Sequence, residues 1–261
     1  MSYSLAIFFG LAPSIIWLLF FLRKDSHPES NKTILKIFFY GMLITLVAAL
    51  VEVGFSEILL SGQRFLNIPF AVFFFLYNFV SIAFVEEFLK YLVIREKILR
   101  NPEFDEPVDA MLYMIIAGLG FAALENILVL LPREIPFLFI ETASISAFRF
   151  IGATFLHALC SGLVGYFMAL SIFSNKNRGR LISTGIIIAS FLHGLFNVFI
   201  IKIENNLRII NGQVEIINYS TFIFSLLSLI IILGGLAFFV LWGFKKLKKL
   251  KSVCKIIETN K

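Results

Sequence analysis

The sequence is poor in charge and in cysteine. Only 15% of its 261 residues are Asp, Glu, Lys or Arg, and 59% are hydrophobic. A water-soluble domain carries roughly a quarter charged residues, so a soluble fold is excluded. Of the two cysteines, Cys160 falls in an apolar run and Cys254 in a lysine-rich tail. They are not expected to meet, and no disulfide framework is implied. Period-two alternation is missing as well: "SLLSLIIILGGLAFFVLW" does not alternate polar with apolar residues, which argues against a membrane β-barrel. No Lys or Arg precedes the first apolar run, and no small-residue cleavage site stands out after it. That run reads as a membrane helix that stays rather than a secretory signal. No internal repeat, low-complexity linker or basic patch with interleaved aromatics interrupts the chain. One domain over residues 1–261 is therefore expected, with no nucleic-acid partner.

What is present is length of apolar sequence. Mean hydropathy is +0.91, and crossing a hydrocarbon core of ~30 Å takes about 20 apolar residues. Seven runs qualify, near 4–22, 34–54, 69–94, 109–131, 148–173, 181–202 and 219–243. "FLFIETAS" (137–144) fits either an outer-face segment or the start of a long fifth helix. The fold class is an all-α, polytopic helix bundle, multi-pass in the cell membrane with the lipid bilayer as a partner. The net charge of +6 resides on span-flanking loops. Loops rich in Lys and Arg (Arg23, Lys24, Lys32 and Lys36; Arg95, Lys97 and Arg100; Lys176, Arg178 and Arg180) alternate with poorer ones, and the tail 244–261 is dense in lysine. Positive charge favours the cytoplasmic side, placing the N-terminus outside and the C-terminus in the cytoplasm.

Against this background the ionisable residues inside spans stand out. "AFVEEFLKYLVI" (83–94) places Glu86, Glu87 and Lys90 in an otherwise apolar run. Such groups cost roughly 2.5–3.5 kcal/mol each near a helix centre and usually face a partner or a cavity. The others are Glu125 and Asn126 in span four, His157 in span five, and His193 and Asn197 in span six; Glu52 and Arg149 fall near expected span ends. Glu86 and Lys90 share a helix face, as do Phe121 and Glu125, and His193 and Asn197. From the cytoplasmic ends, depths come to roughly 13 Å for Glu86, 18 Å for His193 and 24 Å for Glu125 and His157. These overlap within span-end error and helix tilt. Small residues in "AGLGFAA" (117–123) and "ALCSGLVG" (158–165) allow close helix approach. Carboxylates and imidazoles converging from four helices suit hydrolysis, with one acid taking a proton from water and another group stabilising the oxyanion.

"EEFLK" (86–90), "DEPVDAMLY" with "GLGFAALENIL" (105–128), "FRFIGATFLHALCSGLVGY" (148–166) and "FLHGLFNVF" (191–199) occur in this order on successive helices. Together they resemble the PrsW family of bacterial intramembrane proteases, distant relatives of the CAAX prenyl endopeptidases. The resemblance covers about residues 70–200, the expected catalytic core. It implies an intramembrane endopeptidase that cuts membrane-bound proteins, anti-sigma factors being the family's substrate class. It also implies a site built from Glu86, Glu87, Glu125, His157 and His193, with Lys90, Asn126 and Asn197 supporting. Lys90 and Arg95 are expected to snorkel to the cytoplasmic face, Asn197 to fix the His193 tautomer, and Asp109 to cap its helix after Pro107. No HExxH occurs. Glutamate catalysis without a metal is the favoured expectation, and a divalent metal such as zinc, held by Glu86, Glu125, His157 and His193, remains open. Two other classes are compatible: a proton-coupled transporter, or a non-catalytic immunity or scaffold protein of CAAX-related fold.

Overall fold

In a computed structural model the chain is described for residues 3–24, 29–97, 103–131, 139–173, 177–210 and 213–250. Cys254, His27 and the last residues of the tail lie outside these ranges. The helices are α1 (Tyr3–Leu22), α2 (Asn31–Leu66), α3 (Phe70–Phe75), α4 (Val85–Lys97), α5 (Pro107–Leu130), α6 (Phe139–Ile151), α7 (Ala153–Phe173), α8 (Arg178–Asn205) and α9 (Tyr219–Leu247). A π-helical segment, Leu76–Phe84, joins α3 to α4. The described residues thus form seven stretches long and apolar enough to cross a membrane, with α3–α4 and α6–α7 each making one. The seven-span expectation holds, and each predicted run lies largely within one of them.

Local sequence explains the boundaries. Ser30 caps α2, its hydroxyl accepting from Thr33 N at 3.2 Å. Asn67, at φ 50°, ends that helix in the left-handed region, and Pro69 follows. This is a common helix stop. α2 therefore runs well past the expected end near 54, and Glu52 sits inside the helix rather than near its end. At the start of α5, Glu106 is the N-cap and Pro107 the first helical residue. Asp109 is not the cap but the third helical residue, and its Oδ2 accepts from Glu106 N at 2.6 Å. The two make a reciprocal capping box. "ETAS" joins the fifth span, as α6 continues through a break at Gly152 into α7; residues 137 and 138 lie outside the described ranges. One feature was not expected: a short antiparallel hairpin, β1 (Leu207–Ile210) with β2 (Gln213–Ile216), pairing Leu207 with Ile216.

α5 is the central helix. It packs against α7, α2 and α1, and its residues Pro107–Ala123 are buried without exception. Close approach here requires glycine. A Cβ at Gly41 of α2 would collide with the Ala117 carbonyl, and one at Gly120 with the Phe38 carbonyl. Gly118 likewise abuts Ser161 on α7, as the small-residue runs suggest. In hydrocarbon, where burial gives no hydrophobic gain between helices, such van der Waals contact drives association. It sets the rotation of α2, α5 and α7 about their axes and so determines which side chains point inward.

Candidate active site

The π-helical segment runs up to Phe84, and α4 begins at Val85. Extra-wide turns of this kind recur beside functional sites. Here one shifts the facing of the residues just after it. Phe79 from that segment presses on Gly194 of α8, bringing α8 against the glutamates. Glu87 and Lys90 are fully buried, and Glu86, His157 and His193 nearly so.

The centre of the cluster is an ammonium. Lys90 Nζ lies 2.9 Å from Glu87 Oε1, 3.3 Å from Glu86 Oε2 and 2.8 Å from His157 Nδ1. It also stands 4.3 Å from the centroid of the Phe121 ring, close enough for a cation–π contact. The expected snorkelling of Lys90 is therefore corrected. Two adjacent buried carboxylates repel each other and lack water, so the nearest cation turns inward to neutralise them. Arg95, in contrast, is exposed and pairs with Glu96 at 3.3 Å.

Each imidazole has a carboxylate behind it. His157 Nε2 is 2.8 Å from Glu125 Oε2. Because an ammonium can only donate, Nδ1 of His157 accepts from Lys90, and its Nε2–H donates to Glu125. His193 Nδ1 lies 2.9 Å from Glu87 Oε1. With Nδ1–H donating to that carboxylate, Nε2 keeps a lone pair, 4.0 Å from Glu86 Oε2. The expectation that Asn197 fixes this tautomer is corrected, since the Nδ1 partner is Glu87. Asn197 lines the cavity instead, and Glu87 takes the role because the rotation of α8 points His193 Nδ1 at α4.

Glu125 is held from its other side by Arg149, Oε1 to Nη2 at 2.9 Å. Arg149 Nε donates a very short bond to Asn126 Oδ1. Asn126 Nδ2 in turn donates to Thr154 Oγ1 at 2.9 Å. Asn126 thus lies one layer back, joined to Glu125 through Arg149. Arg149 contributes more than its position near a span end suggested, and Thr154 was not singled out. A helix-edge arginine following a partly apolar segment gave little sequence signal, and a threonine gave none.

A cavity of about 770 Å³ opens beside the cluster. Glu86, Glu125, His157 and His193 line it, whereas Glu87 and Lys90 do not. Ile82, Phe148 and Phe196 give it apolar walls. The depth spread inferred from sequence closes up in three dimensions. One donor atom each from Glu86, Glu87, His157 and His193 lies within 4.8 Å of all the others. Glu125 stands outside this set, behind His157, so the tightest potential metal set exchanges Glu125 for Glu87. The donors suit a divalent ion: carboxylate oxygen and imidazole nitrogen are zinc's usual non-thiolate ligands. Glu87 Oε2 is buried with no hydrogen-bond partner among the described residues, an orphaned atom that a cation would satisfy.

Seven apolar spans around a buried carboxylate–imidazole centre that opens on a cavity define a membrane-embedded hydrolase type of site. The sequence comparisons give the class a family. A profile described as "PrsW family intramembrane metalloprotease" matches residues 29–241. Protease PrsW of Geobacillus kaustophilus is 30% identical over 196 residues, covering 75% of this chain and 79% of that protein. Protease PrsW of Bacillus subtilis is 26% identical over 198 residues, covering 75% and 83%. That of Oceanobacillus iheyensis is 27% identical over 193 residues, covering 74% and 81%. No solved structure gives a significant match. The chain belongs to the PrsW family and is a membrane peptidase. The transporter and scaffold alternatives lose their ground accordingly. The family's description as metalloproteases also favours metal-assisted hydrolysis over the metal-free route preferred from sequence.

Proposed function

We propose that this protein is a multi-pass endopeptidase of a single domain that cleaves membrane-anchored proteins, with anti-sigma factors as the substrate class. The N-terminus is taken as outside and the C-terminus as cytoplasmic, from the alternation of Lys and Arg among loops. The observation that carries the catalytic reading is the division of labour between adjacent glutamates. Glu86 lines the cavity, where a substrate and water can reach it, while Glu87 is sealed behind it with one oxygen that has no hydrogen-bond partner among the described residues.

In this reading Glu86 takes the proton of the attacking water and passes it to the leaving amine. Glu87, His193 and His157 are the side chains that would hold a divalent ion such as zinc, His157 through the Nδ1 that Lys90 would have to release. When bound, the ion would polarise the scissile carbonyl and acidify water. Glu125 keeps His157 in its Nε2–H tautomer, and Glu87 orients His193. Carboxylates behind imidazoles do this in many hydrolytic sites. Lys90 balances the paired acids, and the apolar walls exclude bulk water, which strengthens each charge interaction inside.

The test is cleavage of a membrane anti-sigma factor by the purified protein in liposomes, with metal content measured on the same sample. Glu86→Gln, Glu87→Gln and His193→Ala should each lower kcat by at least about 100-fold. About one zinc per chain, with activity lost on chelation and restored on refilling, is the expected metal result. Normal rates in all three variants would refute the assignment of the site.

A further inference from the structure

Glu52 is a carboxylate that this chemistry leaves unused. Thr45, Ala49 and Glu52 fall on one face of α2, and all three line the active-site cavity. The facing is fixed by packing on α5. The Gly41–Ala117 and Gly120–Phe38 approaches leave no slack, and Thr45 Oγ1 lies 3.3 Å from the Phe121 carbonyl. A rotation of α2 that removed Glu52 from the cavity would break all of these. The carboxylate is near enough to Glu86 and Glu125 for their charges to act on it.

Among the described residues no Lys or Arg pairs with it, and the Lys90 charge acts on it only from a distance. Among the described residues Arg149 is the only Lys or Arg lining the cavity, and it is engaged by Glu125 and Asn126. Lys90 lies behind Glu86, held by the catalytic cluster, and does not reach the cavity surface. The Glu52 carboxylate itself makes no ion pair or hydrogen bond among the described residues. A partly buried carboxylate in an apolar wall, facing two others, is costly unless a positive charge arrives from outside.

We propose that Glu52 is a specificity-determining residue that pairs with a lysine or arginine side chain of the substrate, within a few residues of the scissile bond. The proposal rests on the peptidase reading and adds the substrate's chemistry to it. The long aliphatic stems of Lys and Arg can lie along Ile82 and Phe148 while the charged end reaches Glu52. An acidic residue at the same place would meet the fields of Glu52, Glu86 and Glu125 together. A charge-assisted pair of this kind discriminates against a neutral residue by roughly 10- to 100-fold.

The test uses the full-length protein in liposomes. The probes are synthetic single-span polypeptides with an apolar segment and a fluorophore–quencher pair. A single Lys, Arg, Gln or Glu is stepped through the positions around the cut, which mass spectrometry locates. The wild type should prefer Lys or Arg over Gln at one position by roughly 10-fold or more in kcat/KM, expressed chiefly in KM. Glu52→Gln should abolish that preference, and Glu52→Lys should shift it towards the Glu probe. Cleavage without a basic preference, or a preference that survives in Glu52→Gln, overturns the proposal and leaves the peptidase reading intact. Failure of the wild type to cut any probe, and an anti-sigma factor as well, refutes the peptidase reading and this proposal with it.

Discussion

Replacing Lys90 by methionine isolates the role of the buried ammonium. Methionine keeps most of the unbranched stem and so most of the packing, but removes the charge. The ammonium now lies within 3.3 Å of both Glu86 and Glu87 and 2.8 Å from His157 Nδ1. Its side chain is fully buried, as is that of Glu87. Removing one partner of such a buried arrangement leaves uncompensated charge and costs about 3–5 kcal/mol. The contact with Phe121 adds on the order of 1 kcal/mol to what is lost. We therefore expect Lys90→Met to destabilise the protein by about 4–6 kcal/mol. The assay is unfolding by increasing SDS mole fraction in mixed micelles, followed by circular dichroism, with chelator present so that a bound ion does not replace the missing charge. Lys90→Met combined with Glu87→Gln should recover more than about 1 kcal/mol, because the second change removes part of the charge stranded by the first. A Lys90→Met protein within about 1 kcal/mol of wild type would refute the reasoning and return Lys90 to the snorkelling role.

Three further perturbations test the surroundings. Arg149→Gln should lower kcat by roughly 10- to 100-fold with a smaller change in KM, since Arg149, although it lines the cavity, is engaged by Glu125 and Asn126 and acts by orienting Glu125; steady-state kinetics on a cleaved probe distinguishes the two. Gly41→Ala forces a methyl group against the Ala117 carbonyl and should cost about 1–3 kcal/mol by the same micelle unfolding; Gly54→Ala, where a Cβ meets nothing, is the control. Outside the membrane, hydrogen bonds from the Thr33 and Ser30 hydroxyls hold the Glu103 carboxyl below its ordinary pKa of 4.5. A lowered folded pKa stabilises above the unfolded value and is lost as pH falls through the folded one. Stability should therefore decline below about pH 4.5, and Glu103→Gln should flatten that part of the pH profile.

Much of the site was visible in the sequence because hydrocarbon is unforgiving of charge. Glu86, Glu87, Glu125, His157 and His193 were conspicuous simply by standing in apolar runs, and the structure brings all five together. Residues whose importance lies in direction rather than type were harder to find. Lys90 has the same composition signal whether it snorkels or turns inward. Glu52 carries little signal because the apolar run of α2 thins near residue 54, well before the stop at Asn67 and Pro69. Spacing along one helix pairs Asn197 with His193, but the acid that meets His193 comes from α4, 106 positions away.

The sequence by itself determined the class: an apolar, charge-poor chain with seven spans, and a short set of in-span acids and imidazoles whose burial demands partners. It did so because length of apolar run and cost of buried charge are properties of a segment, independent of its neighbours. The tertiary structure alone decided which partners meet. It turned Lys90 between the glutamates, set Glu125 behind one histidine and Glu87 behind the other, left Glu86 facing the cavity, and brought Glu52 into its wall. Those choices depend on helix rotation and depth, which are set by glycine-lined contacts between helices distant in sequence.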